Sequence, residues 1–194
     1  MNLSATSKSF YKNSTTCILV VVLVTFLGLI PLEIKASDRP SGTIGYLQQL
    51  EEKDWILKVE ALHYLSENNV NEGLEKIFKL ASNKTENSWI RSKALTAYCK
   101  IQNSSTIPPI LTNFSISKDS KLRAGAAEAL SFITGNKSEA LSLKLINDDD
   151  ETVKFNALAS YSKIKKEVAW PLVQKMTSSL SQEVMPIALS LIHI

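Results

Sequence analysis

A chain that returns to one pattern at near-constant spacing can close its core only by stacking copies of one unit. Five segments here share such a pattern: DWILKVEALHYL from Asp54, NSWIRSKALTAY from Asn87, DSKLRAGAAEAL from Asp119, DETVKFNALASY from Asp150 and SQEVMPIALSLI from Ser181. Their starts lie 33, 32, 31 and 31 residues apart. Each opens with a side chain able to accept hydrogen bonds from the free N–H groups of a first helical turn. An apolar column follows at Leu57, Ile90, Leu122, Val153 and Val184. Four residues later stand Ala61, Ala94, Ala126, Ala157 and Ala188, and next to them Leu62, Leu95, Ala127, Leu158 and Leu189. Leu65, Tyr98, Leu130 and Tyr161 carry the stripe on by another turn. Steps of this size put all these columns on one face of an α-helix. The alanine at a fixed place lets a neighbouring helix come close.

A second helix is expected after each first one. Paired anchors four residues apart predict it: Leu74 with Phe78, Ile110 with Phe114, Leu141 with Leu145, and Leu172 with Met176. Thr106 ahead of Pro108, and Ser138, mark two of its starts. The connections SNKTEN, SISKD and INDDD are short and polar, and Ile44, Leu47 and Leu50 predict a capping helix within GTIGYLQQLEEK. The expected fold is all-α, a right-handed α-solenoid of stacked antiparallel helix pairs. Its repeats run over 54–86, 87–118, 119–149, 150–180 and an incomplete 181–194, after a linker and capping helix at 37–53.

The order of cap, apolar, basic, alanine and leucine resembles that of HEAT repeats. It is most similar to the short subtype first noted in phycobilisome lyases, over residues 54–194. The basic column stands at Lys58, Arg91, Arg123 and Lys154. The resemblance implies a ladder in which each of these meets an acid of a neighbouring repeat. Met185 in that column and Pro186 inside the fifth first helix depart from the pattern, and the proline would kink the helix or remove a hydrogen bond. The Trp-Leu-Gly-Tyr and Thr-Pro-Leu-His signatures of tetratricopeptide and ankyrin repeats are absent.

The N-terminus reads as a leader. Residues 1–16 carry Lys8 and Lys12 and no acid, and the apolar run CILVVVLVTFLGLI, residues 17–30, ends at Pro31. That run is short of the about 20 residues a bilayer-spanning helix needs, and fits the core of a signal peptide. Ala36 offers cleavage before Ser37, with Ile34 larger than is usual two positions earlier. The alternative is an uncleaved anchor over residues 17–34, against which Glu33 weighs. Both place the repeats outside the cytoplasm, periplasmic or secreted, with a membrane contact only if the leader stays. At the other end, Leu189 to Ile194 also read as a translated sequencing adapter, so the native sequence is expected to stop near Ala188 and the gene to be incomplete.

Chemistry is sparse. Residues 1–36 hold Lys8, Lys12, Lys35 and Glu33, so the rest carries 19 basic and 18 acidic side chains, with no basic stripe for a nucleic acid. Lys163, Lys165 and Lys166 are read as a solvated inter-helix loop. Cys99 is the single cysteine after the leader, so no internal disulfide is expected, and it is read as a partly buried, inert thiol. His63 is read as an ordinary partly exposed helix residue. Asp148, Asp149 and Asp150 lack the spaced acids, Gly and distal Glu of a calcium loop. Trp55, Trp89 and Trp170 are assigned to core packing. Sequons stand at Asn83, Asn103, Asn113 and Asn136.

No catalytic, cofactor-binding or metal site is therefore expected, and the chain is expected not to be an enzyme. The expected role is an exported scaffold that binds a protein partner on the face of the second helices. Glu75, Lys79, Asn113, Lys144 and Gln174 are the candidate contacts there. Two alternatives stay open: an accessory module of a longer exported enzyme or cytochrome-like protein, and a lyase acting on bilins, which export weighs against.

Overall fold

The computed structural model describes residues 42–165. The leader, Ser181 and the rest of the fifth repeat with Met185 and Pro186, Leu172, Met176, Trp170, Gln174 and Lys166 lie outside the described residues. Eight α-helices and no strand occur among the described residues: α1 Gly42–Gln49, α2 Trp55–Glu67, α3 Leu74–Ser82, α4 Ser88–Gln102, α5 Pro109–Ser115, α6 Ser120–Ala129, α7 Asn136–Leu145 and α8 Glu151–Ile164. None is long and apolar enough to cross a membrane.

Helices α2, α4, α6 and α8 are the first helices, and each starts one residue after its expected cap. Asp54 accepts the Ile56 N–H at 2.8 Å, Asn87 the Trp89 N–H at 2.8 Å, and Asp119 the Lys121 N–H at 2.9 Å. Asp150 accepts two, from Thr152 at 2.9 Å and Val153 at 3.1 Å. Each satisfies donors the helix itself leaves free, which is worth about 1 kcal/mol per cap. The α4 helix stops at Asn103, which takes the left-handed conformation at φ 40°. The alanine column Ala61, Ala94, Ala126 and Ala157 is fully buried, as are Ile90, Val153, Leu65, Leu95 and Leu130.

The first helices pack on one another in chain order, with α1 covering α2. The α3, α5 and α7 helices lie on α4, α6 and α8 respectively, so each second helix leans on the first helix of the following repeat. Between second helices no comparable contact exists. This is an all-α solenoid of stacked helix pairs, of the kind expected from the repeat.

Close packing between first helices has a local cause. A Cβ on Gly125 would lie 2.3 Å from Ser92 Cβ and 2.8 Å from its Cα, so α4 and α6 reach this distance only because residue 125 has no side chain. At the same place the Ser92 hydroxyl donates to the Lys121 carbonyl at 2.7 Å. One interface further, Asn156 donates to the Ala124 carbonyl at 3.2 Å and Ser160 to the Ala127 carbonyl at 2.5 Å. Short polar side chains thus join repeat to repeat through spare carbonyl lone pairs.

Several expectations need correction in detail. On α3 the buried residues are Ile77, Leu80 and Ala81, and Phe78 is 40% exposed. Packing on α4 selects that neighbouring stripe of α3, turning Phe78 outward. Thr106 does not start α5; Pro108 precedes it and Pro109 opens it, where a missing N–H costs nothing. Ser138 sits in the first turn of α7 and donates to the carbonyl of Gly135, the residue that caps this helix at φ 114°. In α1, Leu50 just beyond the helix is buried and Leu47 packs on the core, whereas Ile44 is 73% exposed. Lys163 belongs to the last turn of α8, not to a loop, and lies 4.3 Å from the Phe132 ring centre.

Candidate protein-binding surface

The basic column shows how each repeat is closed. Arg123 grips Asp148 with both prongs, Nε to Oδ2 at 2.7 Å and Nη2 to Oδ1 at 2.8 Å, while Nη1 donates to the Ser117 and Lys118 carbonyls at 2.9 and 3.2 Å. This bidentate geometry holds the Asp148 carboxyl below the usual carboxylate range. Lys58 pairs with Glu86 and lowers its pKa in the same way. Both acids lie in the loop that ends the repeat of their own basic partner. For Lys58 and Arg123 the implied ladder between neighbouring repeats is therefore corrected, since these clamps run within a repeat, whereas Lys154 also acts on Asp148 from the following repeat. The reason is that each closing loop ends at the cap of the next first helix, which packs beside its own, so the loop acid lies next to the basic residue of the first turn. Charges between repeats are paired elsewhere, by Lys93 with Glu128 at 2.8 Å, Lys100 with Glu67 at 2.5 Å and Lys165 with Glu139 at 3.2 Å.

Arg91 breaks the series. Its Nε donates to the Ala81 carbonyl at 3.1 Å and its guanidinium lies 5.1 Å from the Phe114 ring centre, with no carboxylate on it. The acid of this clamp comes two residues before the next cap in Asp148 and one before it in Glu86. The matching positions here hold Ser117 and Lys118. Around Arg91 the gap between α3 and α5 forms a groove of about 470 Å³, walled by Phe78, Pro109, Ile110 and Phe114. The expected contact Asn113 lines this groove. Glu75 and Lys79 line a second hollow of about 510 Å³ beside Lys58 and Glu86. Lys144 is exposed on α7.

The tryptophans overturn their assignment to the core. Trp55 is 55% exposed and Trp89 37%, and their rings meet edge to face at 5.5 Å. They stand one and two residues after their caps. At about 100° per residue, both positions fall off the stripe that the alanine column marks. Trp89 also borders a furrow of about 340 Å³ across α4, α6 and α8, bordered by Gly125, Ala124, Asn156 and the Lys93–Glu128 pair. Exposed indoles that touch each other at the rim of a furrow were not found from the sequence. For Trp89 the signal was available in its offset of about 100° or more from each buried column, whereas Trp55 lies a heptad before the buried Leu62 and carried none.

The remaining single residues are placed plainly. Cys99 is fully buried, more so than expected, and burial pushes its thiol up to about 12. His63 is exposed, with Nδ1 3.8 Å from Glu67. Asp148 is taken up by Arg123, Asp150 by its helix, and Asp149 is exposed. No three His, Cys, Asp or Glu gather into a metal-holding group among the described residues. Of the sequons, Ser115 and Ser138 are buried, whereas the exposed Asn83 accepts from the Thr85 hydroxyl at 2.8 Å.

These features define a helical-repeat protein of HEAT-like build. No protein-family model matches the chain, and no curated protein matches it. Among solved structures it is similar to one described as the complex of CpcE and CpcF of phycocyanin lyase from Nostoc sp. PCC7120. The identity is 15%, the TM-score 0.48, and the likeness covers 82% of this chain and 79% of that one. This finding overturns the expectation that the chain is not an enzyme. The similar structure is described as part of a phycocyanin lyase.

Proposed function

We propose that this chain is an exported α-solenoid that works by binding a protein partner. The observation that carries the reading is the Trp55–Trp89 pair, two large apolar side chains held exposed in a body whose alanine and leucine columns already close the core. Indoles in such a position give a partner much apolar area at little entropic cost, and they are enriched where binding energy concentrates. The furrow beside Trp89 supplies relief around them. Export rests on the leader of residues 1–36.

The test uses the full tagged chain in its own source, fractionated and cross-linked, beside a Trp55→Ala, Trp89→Ala double variant. A partner should be captured in the exported fraction by the native chain and lost with the variant. Equal capture by both, or a chain that stays in the cytoplasm, would count against the reading. The double variant should fold, since each substitution at these exposed positions costs about 1 kcal/mol or less.

A further inference from the structure

We infer that the groove between α3 and α5 takes an acidic segment of another protein, with an Asp or Glu side chain on Arg91 and an adjoining apolar side chain against Phe78 and Ile110. The inference deepens the protein-binding reading, at a surface separate from the tryptophan pair. Trp89 and Arg91 are two residues apart on α4, so they point about 200° apart around the helix axis.

Three observations carry it. The first is the break in the clamp. In the third repeat, the residue four after the cap, Arg123, holds the Asp two before the next cap at 2.7 and 2.8 Å. In the second repeat the same two positions are Arg91 and Ser117. The loop geometry is otherwise alike, since Ser117 Oγ accepts the Asp119 N–H at 3.1 Å as Asp148 Oδ1 accepts the Asp150 N–H at 3.0 Å. The carboxylate is missing, and the guanidinium lies over the Phe114 ring instead. Arg91 keeps Nε on the Ala81 carbonyl, and its two terminal nitrogens hold no partner among the described residues.

The second observation is charge. Lys84 and Arg91 line the groove and no acid does, so its field favours a carboxylate. The third is the wall. Phe78, turned out of the core, and Ile110 are apolar surface set beside an open guanidinium. Within this fold the same guanidinium position already grips a side-chain carboxylate, Asp148, which fixes the source as an acidic side chain and not a chain end. A planar fork matches a carboxylate through two parallel bonds, which a neutral amide cannot reproduce.

The experiment titrates the full chain with acetyl-Leu-Asp-Leu-amide and with its Asn counterpart, following chemical shifts. The Asp peptide should saturate signals of Asn113, Phe114 and the Arg91 side chain, with the Asn peptide about tenfold weaker. Ser117→Asp should fill the fork from within, raise the thermal midpoint, and weaken the Asp peptide by about tenfold. Arg91→Gln should weaken it as far without the stabilisation. Equal affinity for the two peptides, or undiminished binding by a folded Ser117→Asp, would overturn the inference. So would tighter binding of acetyl-Leu-Leu with a free carboxylate. Trp55→Ala with Trp89→Ala should leave peptide binding unchanged, so loss of partner capture at the tryptophans and failure of the groove are read separately.

Discussion

At the scale of single residues, Gly125 and Asp148 do the most specific work. Gly125 sets the approach of α4 to α6, and its neighbour Ser92 is held in place by a bond to the Lys121 carbonyl. Gly125→Ala gains helix propensity but forces backbone against backbone. A net loss of about 2 kcal/mol is expected in urea unfolding. Asp148 sits below the ordinary carboxylate value of 3.8 because Arg123 hydrogen-bonds its charged form. The unfolded chain takes up that proton first as pH falls. The stabilisation is therefore complete above that ordinary value, and is lost as pH drops through the lower folded one. Asp148→Asn should cost about 2 kcal/mol at neutral pH and show a shallower loss of stability below pH about 4 than the native chain. Acid titration of both proteins by circular dichroism checks it. Neither residue was legible as special in the sequence: a glycine in a helix and one Asp of three gain meaning only from what faces them.

At the scale of elements, the first helices were legible almost to the residue. Asp54, Asn87, Asp119 and Asp150 cap α2, α4, α6 and α8 because a side-chain acceptor before an apolar stripe has a local use that distant contacts do not alter. Asp119→Ala and Asp150→Ala should each cost about 1 kcal/mol or more, since Asp150 serves two N–H groups and Asp119 serves Lys121 and the side chain of Ser88; paired thermal unfolding curves decide it. The second helices were less legible. In α3 two stripes of similar hydrophobicity compete, one with Phe78 and one with Ile77, Leu80 and Ala81, and only the position of α4 chooses between them. The tryptophans failed for a related reason. Large apolar residues were assigned to the interior by size, whereas their offset from the alanine column puts them on the rim.

At the scale of the whole molecule, cohesion passes from each repeat to the next, since first helices meet only in series. Protection against amide hydrogen exchange should peak in α4 and α6, around Ile90, Leu95, Ala126 and Leu130, and fall toward α1. Mass-spectrometric exchange resolves the two patterns, and uniform protection from α1 to α6 would contradict this serial account. The fold class was legible because five copies of one register leave few ways to close a core. The binding surface was not, because a groove belongs to the gap between α3 and α5 and to no single segment.

The clamps that close on their own repeat bear on how such a chain can change its length over generations. A segment that runs from Asp119 through Asp149 carries both Arg123 and the carboxylate that neutralises it. Copying that segment in tandem, or deleting it, leaves neither half of this clamp stranded, whereas deletion unpairs Lys93 and Lys165, whose acids Glu128 and Glu139 lie inside it. Had the clamp spanned the seam as those pairs do, loss of a repeat would also have left its arginine unmatched. A change of length by whole units therefore keeps each closing clamp intact and disturbs only the pairs that join one repeat to the next.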